Sequence, residues 1–394
     1  LIFVLQLVSK FFLFTTQKNV HNHKQEMMSL KFKQNCLKGT LLLGFMLLFQ
    51  VSYSQYNFDK VEDWMEENLK DLGGRAVLMI YKDGKMVYEN DENNLSKRQK
   101  RIGKFIAKRK GISVNQDDFT PDTKVRIASC SKWLTAALVM TFVDEGKLNT
   151  EDSIGKYLPV FTQHGKGAIK VWHCLSHLTG IYQPELKEGI KEMSSFKTMN
   201  AAMDFLATQK MEGTPGKTFH YGNAGLQICA AIIEKISSKN FETLFAERIA
   251  RPLNMQNTDF GKKEVPLAAG GAYSTTKDYM NFLVMILNKG LFNGKRILSK
   301  QSIAEMQKSR TKDAEIKSSP AQKRDTNYGY GEWVDEEENG VTKAVSSPGL
   351  FGSVPLVDNK RNYCAFLMTL NLNYKGRQEK SADLKKRMDV ALGF

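Results

Sequence analysis

RIASCSKWLTAALVMTFVDEG, residues 126–146, is the stretch on which the reading of the whole chain turns. From Trp133 to Val143 the run is apolar nearly all round, as suits a helix at the centre of a domain rather than on its surface, and Asp144-Glu145-Gly146 ends it. Its first turn nevertheless carries Ser129, Cys130, Ser131 and Lys132. Ser129 and Lys132 are three apart and share a helix face, where the free N–H groups and dipole of a helix start favour developing negative charge. A lysine buried there is desolvated, which lowers its pKa until it can accept a serine proton. The pattern describes an activated nucleophile; the plainer alternative is an N-capping serine with a lysine that snorkels to solvent. Ser-x-x-Lys also occurs at Ser153, Ser194, Ser274 and Ser309; what separates Ser129 is the run WLTAALVMTFV that follows its motif directly, apolar nearly all round.

A second element lies in KTFHYGNAGLQICAAIIEKI, where Tyr221-Gly222-Asn223 follows a Pro-Gly turn and opens another apolar helix. A tyrosine near an ammonium can relay protons, and an asparagine can hold a substrate amide or orient the lysine. Tyr88-Glu89-Asn90 and Tyr279-Met280-Asn281 repeat the spacing without the loop-to-helix setting.

With both elements in place the chain resembles the serine β-lactamase and penicillin-binding-protein superfamily, nearest the class C β-lactamases and their esterase and D-aminopeptidase relatives. TPDTKVRIASCSKWLTAALVMTFVDEGKLNTEDSIGKYLP, HCLSHLTGI, ARPLNMQNTDF and GGAYSTTKDYMNFL follow that family's order and spacing, over roughly residues 70–370. The resemblance implies Ser129 as acylated nucleophile, Lys132 as its proton acceptor, Tyr221 as base or relay and Asn223 as a ligand of substrate and lysine. The family's third element is a strand triplet of Lys or His, any residue, then Gly. Here the triplet reads Ser347-Pro348-Gly349, which keeps the glycine but not the cation. By the resemblance Ser347 and Gly349 bind substrate, and the backbone N–H groups of Ser129 and Leu350 form an oxyanion hole. Pro348 requires this strand to lie at an edge facing the cleft. Lys343, Lys360 and Arg361 are the alternative sources of the missing charge. Cys130 points about 100° away from Ser129 around a helix, and His177 and Thr179 read as loop scaffolding.

Two strands early, RAVLMIYK and KMVYE joined by Asp83-Gly84, and four late, YGYGEWV, VTKAVS, SVPLV and YCAFLMTL, bracket a helical middle. The expected fold is α/β of the α+β type: an antiparallel sheet built from both chain ends, flanked by helices, with an inserted all-helical subdomain. The resemblance implies the β-lactamase/transpeptidase-like form of it. DKVEDWMEENLKDL, residues 59–72, reads as a helix ahead of the sheet.

Lys31, Lys33 and Lys38, then GTLLLGFMLLF and the small residues Ser52 and Ser54, have the order of a secretory signal over about 27–54. Residues 1–26 read as an upstream extension and 55–394 as one hydrolase domain, periplasmic or secreted; an uncleaved run would anchor it to the membrane. The domain keeps a net charge of about +10, with eight Lys or Arg and no acid in SKRQKRIGKFIAKRKG, residues 96–111. That stretch lies in a basic insertion, 91–118, read either as a solvated surface or as a patch for an anionic envelope polymer or membrane surface. No nucleic-acid motif accompanies it. Cys130, Cys174, Cys229 and Cys364 have no CxxC spacing, and His173 and His177 no HExxH, so no metal or cofactor is implied. The function expected is acyl-enzyme hydrolysis of an ester or amide; a true β-lactamase or D-Ala-D-Ala carboxypeptidase, or a non-catalytic peptidoglycan-binding module, are the alternatives.

Overall fold

The computed structural model describes residues 56–394 apart from 111–118, 321–326 and 372–375. The expected upstream extension and signal lie outside the described residues. Residues 57–394 form one unit. It opens with helix α1 (Asp59–Asn68) and the hairpin of β1 (Arg75–Lys82) and β2 (Lys85–Asn93). Asp83 and Gly84 both take positive φ, 51° and 82°, the backbone a two-residue hairpin turn needs. Because β2 runs to Asn93, the insertion starts later than read, and its residues Lys97–Lys110 form helix α2.

The remaining strands come from the other end of the chain: β3 (Trp333–Glu338), β4 (Val341–Ser346), β5 (Val354–Asp358) and β6 (Tyr363–Thr369). The sheet order is β2-β1-β6-β5-β4-β3, antiparallel throughout, so β1 pairs with the last strand from Ala76 opposite Thr369 to Lys82 opposite Tyr363. Alternation places Val77, Met79, Cys364, Phe366 and Met368 in the main core. Their neighbours Ala76, Leu78 and Ile80 are buried as well, so both faces of the sheet are covered. On one side the helix Thr276–Leu287 packs on β1, β5 and β6. On the other, the C-terminal helix Arg377–Ala391 packs on α1 and takes a 2.7 Å hydrogen bond from Tyr363 to Asp389.

The apolar run of the sequence forms α3 (Ser131–Asp144), buried without interruption from Ser131 to Phe142, and it packs on α4 (Ala224–Ser237). Two local readings are corrected. YGYGEWV is not strand throughout: β3 begins only at Trp333, because Tyr328–Glu332 turn, with Gly329 N–H donating to Glu332 O at 2.9 Å. Gly331 lies there at φ 77°, and a Cβ on it would sit 2.5 Å from Lys132 O, so only glycine lets this turn approach α3. Nor is the strand before Pro348 an edge strand. β4 lies between β3 and β5 and ends at Ser346, so Pro348 falls just past the ladder and its missing N–H leaves no ladder bond unmade.

Candidate active site

Ser129 stands ahead of α3 rather than in it, within a tight turn, Ala128–Cys130. Ala128 takes φ 47°, a left-handed conformation unfavourable for a residue with a Cβ. Ser131 holds the turn in place: its Oγ donates to Ala128 O at 2.5 Å and accepts from Ala272 N–H at 3.0 Å. Thr135, one turn on, donates to Ala268 O at 2.6 Å. These hydroxyls tie the segment Ala268–Ala272 along α3, and that segment presents a carbonyl to the lysine.

Lys132 is 1% exposed. Its Nζ lies 3.3 Å from Ser129 Oγ, 3.3 Å from Asn223 Oδ1 and 2.8 Å from Ala269 O, and 4.7 Å from the centroid of the Tyr221 ring. Burial pulls its pKa down from 10.5 to about 7. Asn223 Oδ1 and Ala269 O can only accept, so a neutral amine gives them its two protons and turns its lone pair on the Ser129 hydroxyl. Tyr221 also hydrogen-bonds Ser129, while burial raises its own pKa. Its ring stacks on Trp333 at 5.5 Å and 21° and leans on His177 at 4.5 Å. His177 is buried, contacts Tyr328 Oη at 3.2 Å and is held neutral by desolvation, so it is part of an aromatic wall.

Asn223 stands at the start of α4, and the two N–H groups there, of Asn223 and Ala224, donate to Gln183 Oε1 at 3.0 and 3.3 Å. Gly222 is required beside it, since a Cβ would meet that oxygen at 1.9 Å. Gln183 went unnoticed in the sequence: it lies 40 positions before Asn223 and belongs to no motif.

The third element differs most from expectation. Ser347 is 2% exposed and turns into the protein, donating to Gly331 O at 2.9 Å and approaching Ser129 O at 3.4 Å. It braces the nucleophile turn and does not line the cleft, which corrects its reading as a substrate ligand. Gly349 is present for closeness, because a Cβ would lie 2.4 Å from Ile127 O and 3.1 Å from Cys130 Sγ. Leu350 lines the cleft, and neither its N–H nor that of Ser129 donates to another group among the described residues. Lys343 and Lys360 pair with Glu338, and Arg361 with Asp358, Glu336 and Asp389; none of the three lines the cleft. Arg377 does, a residue no sequence pattern marked. Cys130 is buried and its thiol pKa is pushed up by desolvation, whereas the neighbouring Ser129 is only partly buried and lines the cleft. The cleft as a whole measures ≈ 1590 Å³.

A family profile described as Beta-lactamase matches residues 65–387. Among curated proteins, the D-alanyl-D-alanine-carboxypeptidase/endopeptidase AmpH of Escherichia coli K12 is 25% identical over 197 residues, 43% of this chain and 51% of AmpH. The match thus spans about half of that relative. Among solved structures, a candidate β-lactamase from Bacteroides dorei DSM 17855 superposes with TM-score 0.70 at 24% identity, covering 84% of this chain and 98% of that one. A family VIII carboxylesterase gives TM-score 0.66 at 17% identity over 86% and 98%. At these identities the structural likeness is one of fold.

Proposed function

The chain belongs to the Beta-lactamase family, and from that premise we propose that it is an exported serine hydrolase that cleaves an ester or amide through an acyl-enzyme on Ser129. The observation that carries the reading is the setting of Lys132: a buried amine with a pKa near 7, 3.3 Å from Ser129 Oγ, whose other two contacts can only accept. In the neutral form it takes the hydroxyl proton as Oγ bonds to the acyl carbon. The carbonyl oxygen gains the negative charge and lies against the N–H groups of Ser129 and Leu350. Tyr221, hydrogen-bonded to Ser129, passes a proton to the leaving alcohol or amine as its bond to carbon breaks. Water then adds to the acyl carbon, the same groups taking its proton and returning one to Oγ, and the free acid leaves.

Esters or short peptides are favoured over β-lactams as substrates. Ser347 faces inward, and the triplet offers no cation for a substrate carboxylate. A charged hydrogen bond there would be roughly twice as strong as a neutral one.

The test is to incubate the purified protein with a fluorophosphonate and locate the adduct by mass spectrometry, then to compare kcat/KM on p-nitrophenyl acetate and nitrocefin. Labelling at Ser129, its loss in a folded Ser129→Ala variant, and a higher kcat/KM on the ester are expected. A folded wild-type protein that takes no label refutes acylation; nitrocefin turnover with negligible ester cleavage refutes the substrate preference.

A further inference from the structure

The turn after β4 is held from several sides. Gly349 N–H donates to Ser353 O at 2.8 Å, and Phe351 O accepts from Asn371 N–H and Thr369 Oγ1, both at 2.8 Å. Arg377, the first residue of the C-terminal helix, donates through Nη1 to Gly349 O at 3.0 Å and through Nη2 to Leu350 O at 2.9 Å. Gly349 O accepts a further 3.0 Å bond from Gly352 N–H. The carbonyl of Gly349 and the N–H of Leu350 belong to one planar peptide group. A guanidinium on that oxygen draws electron density toward it and leaves the N–H more positive, an effect that is strongest where the local dielectric is low. The fork also fixes the plane, since two donors of one rigid group hold two consecutive carbonyls. The N–H so polarised belongs to Leu350, a residue of the cleft lining, and has no acceptor among the described residues.

We propose that Arg377 is a positioning residue that orients and polarises the Gly349–Leu350 peptide as an oxyanion donor, and that it serves neutral and carboxylate-bearing acyl groups alike. The proposal rests on the acyl-enzyme reading above. It assigns the cation beside the altered triplet to the backbone: two of its N–H groups are directed at carbonyls, and a substrate carboxylate would have to compete for them. The effect of Arg377 on the oxyanion donor is therefore independent of whether the acyl group carries an anion.

Two esters of similar size separate the possibilities, p-nitrophenyl butyrate and p-nitrophenyl hemisuccinate, measured with wild type, Arg377→Met and Arg377→Lys. Fluorophosphonate labelling of Ser129 is timed in each. Arg377→Met is expected to lower kcat on both esters by a similar factor, on the order of ten-fold, with KM little changed; removal of a whole oxyanion donor costs about 10²–10³. Labelling should slow by a comparable factor, and Arg377→Lys, which keeps the charge and one donor, should recover part of the loss. Thermal melting confirms that each variant is folded, and the lysine variant carries the test if the methionine variant is not. A rise in KM confined to the hemisuccinate would make Arg377 a substrate clamp and overturn the proposal. Labelling and kcat unchanged in folded Arg377→Met would overturn it too, while leaving the hydrolase reading intact. Wild-type protein without label at Ser129 would remove both.

Discussion

Lowering the pH from 8 to 5 should switch the enzyme off through one side chain. With its pKa at about 7, Lys132 is roughly 90% neutral at pH 8 and about 1% neutral at pH 5, so a reaction that needs the neutral amine slows about 90-fold in kcat/KM. The other groups facing this centre do not imitate that profile: burial holds His177 neutral and raises the pKa of Tyr221. His220, which also lines the cleft, is shifted below 6.5 by desolvation, and a His220→Gln variant removes it from the profile. The assay is kcat/KM for a neutral ester from pH 5 to 9, with the fluorophosphonate labelling rate beside it. The same lysine leaves a mark on stability. Its pKa in the folded chain lies below the 10.5 of the unfolded one, so its penalty is complete below pH 7 and is relieved as the pH rises toward 10.5. Between pH 7 and 9 this adds about 2 kcal/mol of stability, a gain that Lys132→Met should lack. A kcat/KM flat from pH 5 to 8 in the His220→Gln background would refute the argument that burial tunes this lysine.

Three other outcomes follow from the structure. Gly349→Ala should destabilise the protein by about 2 kcal/mol in urea melts and lower kcat/KM at least about ten-fold, because the new Cβ drives the turn off Ile127 O; wild-type values would show the close approach to be unimportant. Glu332 is fully buried, neither carboxylate oxygen has a hydrogen-bond partner among the described residues, and desolvation raises its pKa well above the usual range. Its neutral form is favoured on folding, so wild type loses stability as the pH rises above 4.5, and the melting temperature of Glu332→Gln should move further above that of wild type as the pH is raised from 5; a constant difference between the two would contradict this. Expressed from Met28, the protein should be recovered from an envelope or secreted fraction with Gln55 at or near its N-terminus by mass spectrometry, and an intact Met28 terminus in the cytosol would contradict export.

What the sequence determined by itself was local. The unbroken apolar run could only be a buried helix, Asp83-Gly84 could only turn a hairpin of that length, and runs rich in aromatic or β-branched residues marked β4 at its observed bounds and β6 to within one residue. Three-residue spacing put Ser129 and Lys132 on one side of the chain, and the Pro-Gly turn set Tyr221 and Asn223 at the mouth of α4. These depend on neighbours a few residues away, which is why they were legible. Tertiary structure decided what those residues meet. Lys132 finds Asn223 from 91 positions away and Ala269 O from 137, and without that enclosure its pKa would stay ordinary. The left-handed Ala128 carries no signal in its own identity; hydroxyls and a backbone N–H from other elements impose it. Ser347 was placed in the cleft by its position in a motif, whereas side-chain direction past the end of a strand is set by whichever acceptor lies nearest, here Gly331 O. Arg377 and Gln183 reach the site by hydrogen bonds to backbone, and a backbone partner leaves no trace in the identity of the residue it belongs to.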